Sequence, residues 1–357
     1  MRARATSLGL LALSSVLAEH VEARPAVSNE GRPSTSSGRT ETEVIASVDA
    51  VARRHALAGE VLVARGDHVL LDRGYGTIRP EGGAAHKAGE RWRLASITKQ
   101  VTAALILRSV GPDALDGPIS APEERAKIGQ LTVRQLLTHH TGLANPDDTP
   151  KNAAGVPSFY TAAEPGIDYC FSVPARPGAP FSYNNCDYIL ASIFLALSGT
   201  DDPAPVQGLR LAEPGQLGVP GFVDGKPEPR FQLASYGAAG GLIGTARAVF
   251  HFDRSLMTGK LLPPAALAEL WRPEGNGSYQ ALGQWVFPGK LAGCASPKRI
   301  VQRDGEIWGV QARNYILPDD DLVVVVFTNR SADDFAFGEV WEGKGFAFDL
   351  LSAAAGC

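Results

Sequence analysis

Strand-like stretches lie at the two ends of this 357-residue chain, and helical ones lie between them. Near the N-terminus, residues 60–65 and 68–74 read as a hairpin around Gly66-Asp67. Near the C-terminus, residues 281–287, 299–303, 307–317 and 322–328 carry strand patterns, and Pro318-Asp319-Asp320-Asp321 is a turn between the last two. Val44, Ile45, Val48 and Val51 recur at helical spacing and predict a helix from Thr42 to about His55. Residues 333–355 read partly as a closing helix. Strands so far apart in the chain can share a sheet only if the chain ends meet. The expected fold is therefore α+β, an α/β sandwich: an antiparallel sheet flanked by the N- and C-terminal helices, with an all-α region inserted. The expected domain runs over 41–357, with the sheet from 41–95 and 280–357 and the helical region at about 96–279.

Residues 1–23 predict a signal peptide: Arg2 and Arg4, a short apolar run over 8–17, then small residues suited to cleavage. A buried N-terminal helix is the competing reading. Residues 24–40, rich in Ser, Gly, Pro and Arg, read as a flexible linker. No apolar run is long enough to span a membrane, and no Cys closely follows the apolar run to take a lipid. A periplasmic or secreted location follows. Cys170, Cys186, Cys294 and Cys357 allow three pairings. Cys170–Cys186 with Cys294–Cys357 is the simplest, and free buried thiols are the alternative. A net charge of −4 and no polybasic arm argue against nucleic acid. The expected partner is a small-molecule or peptidoglycan-derived substrate, with the chain monomeric and no cofactor or metal required.

The chemistry concentrates at Ala95-Ser96-Ile97-Thr98-Lys99-Gln100, which heads an apolar run over 101–107 that reads as a buried helix. Ser96 and Lys99, three apart, share one helical face. A serine hydroxyl needs a base to become a nucleophile, and a lysine can be that base if burial or cations lower its pKa. Tyr183-Asn184-Asn185 precedes a second apolar helix, and its Tyr-x-Asn is the only one in the chain. A tyrosine can relay a proton between nucleophile and leaving group. An asparagine amide can bond both a lysine and a substrate. A plain turn with an Asn cap is the structural alternative.

Together these segments resemble the serine β-lactamase and D-alanyl-D-alanine carboxypeptidase family. Ser96-x-x-Lys99 looks like its first active-site motif, and Tyr183-x-Asn185 like the second motif of its class C-like branch. Leu136-Leu137-Thr138-His139-His140-Thr141-Gly142-Leu143 and Gly240-Gly241-Leu242-Ile243-Gly244-Thr245-Ala246 resemble two further segments in the right order. The resemblance implies an acyl-enzyme on Ser96. Lys99 and Tyr183 would share base and acid roles, and Asn185 would orient Lys99 and the substrate. The oxyanion hole would be the N–H of Ser96 and one N–H on an edge strand. That strand should carry Lys-Thr-Gly or His-x-Gly. The best match is Arg303-Asp304-Gly305, which makes Arg303, Gly305 and Glu306 the expected substrate-binding residues, with Glu306 supplying the second oxyanion N–H. Arg303 keeps the charge of the pattern and could grip a carboxylate with a forked pair of bonds, but it cannot titrate. The stretch from Tyr183 to Arg303 is compact beside large class C enzymes, which leans toward the family's esterases and peptidases. Three substrates fit: a β-lactam, a D-amino-acid peptide or a carboxylic ester. The alternative is a non-catalytic penicillin- or peptidoglycan-recognising protein.

Other motifs are weaker. His139-His140 lacks metal-ligand spacing and reads as loop histidines bonding backbone. There is no Gly-x-Ser-x-Gly elbow and no phosphate-binding loop. Asp319-Asp320-Asp321 reads as a solvated turn, and Trp285 and Trp308 fit the core as well as a substrate platform.

Overall fold

The computed structural model describes residues 39–119, 131–197, 206–275 and 277–357. The expected signal peptide and nearly all of the linker lie outside them. The linker's last residue, Thr40, caps helix α1 (Glu41–Arg54): its hydroxyl accepts from Glu43 N, and the Glu43 carboxylate takes the Thr40 N–H.

Strands β1 (Gly59–Arg65) and β2 (His68–Tyr75) form the expected hairpin. The C-terminal strands are β3 (Gln280–Ala281), β4 (Gln284–Gly289), β5 (Lys298–Ile307), β6 (Val310–Leu317) and β7 (Leu322–Thr328). All seven join one antiparallel sheet in the order β2-β1-β7-β6-β5-β4-β3. The chain ends do meet, where β1 pairs with β7 from Gly59↔Thr328 to Arg65↔Leu322. Because side chains alternate faces along a strand, Val324 and Val326 of β7 pack toward α1 and the closing helix α6 (Phe346–Ala355), while Val323, Val325 and Phe327 join the larger core on the other face. Both faces are covered, so β7 is apolar from Leu322 to Phe327 and wholly buried.

The larger core surrounds α2 (Ile97–Val110), buried at every position from Ile97 to Leu107. Beside it stand α3 (Val133–Leu137), capped by Thr132, and α4 (Asn185–Leu197). Then comes α5 (Ala246–Met257). The middle region is not helical throughout. Leu242–Gly244, in the expected helical region, is a short strand between Trp92–Arg93 and Arg210–Leu211.

The single strand expected over 307–317 is broken at Trp308-Gly309, where β5 turns into β6 with Ile307 opposite Val310. The turn was hard to foresee. Trp308, not the glycine, takes the positive φ of 52°, a conformation that usually selects glycine. Gly309 is needed for space, since a Cβ there would lie 2.1 Å from Phe222 N.

Both disulfides of the simplest pairing are formed. Cys170–Cys186 ties the 144–180 stretch to the first turn of α4, and Cys294–Cys357 ties the end of the chain to the loop after β4. The Asp319–Asp321 turn is held by ion pairs from Lys298 to Asp320 and Arg254 to Asp321.

One buried acid makes stability pH-dependent. Glu60, on β1, is fully buried and accepts from Gly89 N and Trp92 Nε1. Burial raises its carboxyl from 4.5 to about 7; those two bonds oppose the rise, and nearby Asp72 adds to it. The folded state therefore binds this proton more tightly than the unfolded chain. The stabilisation is complete below the unfolded value and is lost as pH rises through about 7. Between about pH 5 and pH 8 the loss should reach ~2–3 kcal/mol, and Glu60→Gln should flatten it. Urea titrations of both proteins at the two pH values measure this, and parallel pH trends would show that Glu60 is not the titrating group.

Candidate active site

Ser96 closes the turn that leads from the core into α2. Ala95, just before it, has a positive φ of 47°, uncommon for a residue with a side chain. The N–H groups of Ile97, Thr98 and Lys99 turn back to the carbonyls of Leu94, Ala95 and Ser96. This tight first turn presents Ser96 at the N-terminus of a wholly buried helix, with the partial positive charge of the helix end beside its hydroxyl.

Four of the expected residues converge there with Arg303. Ser96 Oγ lies 2.6 Å from Tyr183 Oη and 3.3 Å from Lys99 Nζ. Lys99 is fully buried, and its Nζ also donates to Asn185 Oδ1 at 2.7 Å and to the Ala239 carbonyl at 2.8 Å. Lys99 Nζ thus has three oxygens within hydrogen-bond reach, as many as an ammonium can serve. Burial lowers the Lys99 pKa and Arg303 lowers it further, while Tyr183 opposes the shift. For Tyr183, burial alone would raise the phenol, but the charges of Lys99 and Arg303 outweigh it and hold it below its ordinary value.

Arg303 stands on β5, 1% exposed. Its Nε donates to the Ser96 carbonyl at 2.9 Å and its Nη2 to Tyr183 Oη at 2.8 Å. The Nε–Nη2 edge of the guanidinium is thus bound to the site itself, so that edge is not the one that would grip a substrate carboxylate. β5 pairs with β4 only through Gln302, so its edge from Arg303 to Ile307 faces the nucleophile unpaired on that side. Gly305 lets that edge come close: a Cβ there would lie 2.5 Å from Leu94 O and 3.1 Å from Ser96 N. Glu306 is the next residue along this edge.

Two cavity lobes open on Ser96. One, of about 320 Å³, is lined by Tyr160, Tyr183, Tyr236, Trp308 and Asp147. The other, of about 350 Å³, is lined by Phe181, Trp285, Arg303 and Asp304. Glu306 borders both. Trp285 and Trp308 thus wall the site while packing against the two cores.

Several contacts were missed by sequence reasoning. Asn185 Nδ2 donates to Tyr160 Oη at 2.8 Å, and that hydroxyl donates to Asp147 Oδ1 at 2.6 Å. Tyr160 also stacks on Tyr236 at 3.8 Å between ring centroids. Both Asp147 and Tyr160 lie in the unpatterned stretch over 144–180, where no spacing marks them. Ala239 contributes a carbonyl, which no reading of side chains can detect. His140 bonds the backbone at Ala179, as expected of a loop histidine. His139 accepts a backbone N–H from Asn184, and it also meets a carboxyl, that of Asp187. Among the described residues, no group of three or more His, Cys, Asp or Glu side chains is placed to hold a metal ion.

A family model described as Beta-lactamase matches residues 39–342. The chain belongs to the beta-lactamase family. Esterase EstB of Burkholderia gladioli is 29% identical to this chain over 216 residues. That match covers 51% of this chain and 54% of the esterase, so the chain spans about half the length of the curated relative it matches. Two solved structures share the fold. The D-amino acid amidase of Ochrobactrum anthropi SV3, complexed with D-phenylalanine, aligns with a TM-score of 0.67 at 17% identity, covering 87% of this chain and 98% of the amidase. A class C beta lactamase of Rhodobacter sphaeroides aligns with a TM-score of 0.63 at 21% identity, covering 87% of this chain and 99% of the lactamase. At such identities the likeness speaks for the fold, and the activity has to be argued from the site. Among the described residues no helix of this family member is long and apolar enough to cross a membrane.

Proposed function

We propose that this chain is an exported serine hydrolase that acylates Ser96, with Tyr183 as the base and a carboxylic ester or small amide as substrate. The observation that carries the reading is the 2.6 Å contact between Ser96 Oγ and Tyr183 Oη, beside a Lys99 whose three N–H groups all have acceptors. A lysine so engaged has no lone pair for a proton. A tyrosine oxygen flanked by Arg303 and Lys99 does.

In the proposed reaction Ser96 Oγ attacks the carbonyl carbon and its proton passes to Tyr183 Oη. The oxyanion is held by the N–H groups of Ser96 and Glu306; a missing donor of this kind typically costs about 3 kcal/mol of barrier. As the tetrahedral intermediate collapses, Tyr183 returns the proton to the leaving oxygen or nitrogen. A water then attacks the acyl-serine, gives its proton to Tyr183, and the acid leaves as Ser96 recovers the proton. Asn185 holds Lys99 in place through its Oδ1.

The relationship to an esterase supports the ester, and the fold shared with an amidase and a lactamase keeps amides and β-lactams among the tests. Export is supported by the two disulfides, which persist in oxidising compartments, and by the N-terminal sequence pattern.

Purified protein and Ser96→Ala should be compared on a short-chain nitrophenyl ester, a D-amino-acid amide, a D-Ala-D-Ala peptide, a chromogenic cephalosporin and a fluorescent penicillin. Ester or amide turnover that the variant loses by at least ~10³-fold is expected. Undiminished turnover in Ser96→Ala would remove the nucleophile assignment. Penicillin labelling with no turnover of any substrate would favour the binding-protein reading.

A further inference from the structure

Two buried titratable groups beside the site have no part in the proposed reaction. His139, 1% exposed, follows α3 with a positive φ of 63°. Asp187, fully buried, lies in the first turn of α4, two residues after Asn185. His139 Nδ1 lies 2.9 Å from Asp187 Oδ2, and the Thr141 hydroxyl donates to Asp187 Oδ1. The backbone around His139 and Thr141 grips the catalytic segment elsewhere too. Ser182 N donates to the His139 carbonyl, and Asn184 Nδ2 donates to the carbonyls of Leu143 and Ala144. The imidazole lies against Tyr183, with ring centroids 4.7 Å apart.

The proton between His139 and Asp187 can be placed by elimination. The Asn184 N–H approaches His139 Nδ1 at 3.3 Å, the geometry of a nitrogen that presents a lone pair; the same nitrogen faces Asp187, and Nε2 has no hydrogen-bond partner among the described residues. The 2.9 Å contact to Asp187 then needs a proton on the carboxyl. An imidazolium is disfavoured because burial pushes the His139 pKa down and the charges of Lys99 and Arg303 push it further. Burial likewise pushes the Asp187 carboxyl well up, against the Thr141 bond and the Lys99 charge. Tyr183 and Tyr188 are the other titratable rings against His139.

We infer that Asp187 is a neutral carboxylic acid that donates to His139 Nδ1, and that this uncharged pair is a positioning device for Tyr183 and Asn185. Its neutrality matters as much as its shape. A carboxylate here would set a second negative charge near the Tyr183 phenolate and raise its pKa. With Asp187 protonated, Lys99 and Arg303 act on Tyr183 alone. The positioning role rests on the hydrolase reading, whereas the protonation state does not.

Infrared difference spectra of wild type against Asp187→Asn near neutral pH should show a protonated carboxyl stretch that the variant lacks; no such band would overturn the inference. In kinetics, Asp187→Asn keeps both hydrogen bonds, since its amide N–H can donate to His139 and its carbonyl can accept from Thr141. It should retain kcat within about threefold, with the acidic limb of the kcat/KM profile unmoved. Asp187→Ala should lower kcat by about 10–100-fold with little change in KM. An acidic limb displaced by about one unit in the Asn variant would mean a charged Asp187. Full kcat in the Ala variant would end the positioning role. If the Ala variant does not fold, the infrared band and the Asn profile still decide. If wild type turns over no substrate, the proposed function falls, while the infrared result judges the protonation by itself.

Discussion

Replacing Tyr183 with phenylalanine is expected to lower kcat/KM by about 10²–10⁴-fold, the range for loss of a positioned general base. The substitution removes one oxygen and leaves the ring against His139, so folding should be preserved. What remains beside Ser96 Oγ is Lys99, whose Nζ donates to Ser96, Asn185 and the Ala239 carbonyl. An ammonium in that position can orient the hydroxyl but cannot take its proton. Lys99 could substitute as a base only by giving up a proton and one of those bonds, at a pH where burial and Arg303 have already drawn its pKa down. Steady-state kinetics across pH, with thermal unfolding as the control for folding, measure the effect. A variant within a few-fold of wild type would transfer the base role to Lys99.

Arg303→Met should act through the same oxygen from the opposite side. Wild-type Arg303 donates to Tyr183 Oη and to the Ser96 carbonyl and helps hold the phenol below its ordinary value. Methionine fills similar space without charge, so the phenolate loses a cation and a hydrogen bond. The sign follows: the Tyr183 pKa rises, the active phenolate form becomes rarer at neutral pH, and the acidic limb of kcat/KM moves to higher pH. A shift of ~1–2 units would lower the rate at neutral pH by about 10–100-fold, with partial recovery in alkaline buffer. The contrast with a substrate clamp is clean. If Arg303→Met raises KM only for carboxylate-bearing substrates and leaves the pH profile in place, the residue binds substrate and is not the phenolate's partner. Arg303→Lys should fall between, since one ammonium keeps the charge but does not reproduce the planar fork that reaches both Ser96 O and Tyr183 Oη.

What could be read from the chain was what nearby residues fix among themselves. The β1–β2 hairpin and the apolar run of β7 are local patterns with local causes, whereas the cap at Thr40 fell in what read as linker. Ser96 and Lys99 sit one helical turn apart on any helix that contains them. Tyr183 and Asn185 were legible through the resemblance of Tyr-x-Asn to a family motif, placed where α4 begins. The Trp308-Gly309 turn was not legible, because its glycine answers to the close approach of Phe222 rather than to the turn.

By itself, the sequence determined the sheet, its two flanking helices and the residues of the candidate site. How those residues face one another was decided only by the tertiary structure. The Lys99 ammonium is completed by a carbonyl at Ala239, and the Tyr183 oxygen is flanked by a guanidinium that arrives on β5. Whether Lys99 or Tyr183 accepts the proton depends on charges and acceptors within a few ångströms. Those distances exist only once the middle of the chain has packed against the edge of its C-terminal sheet.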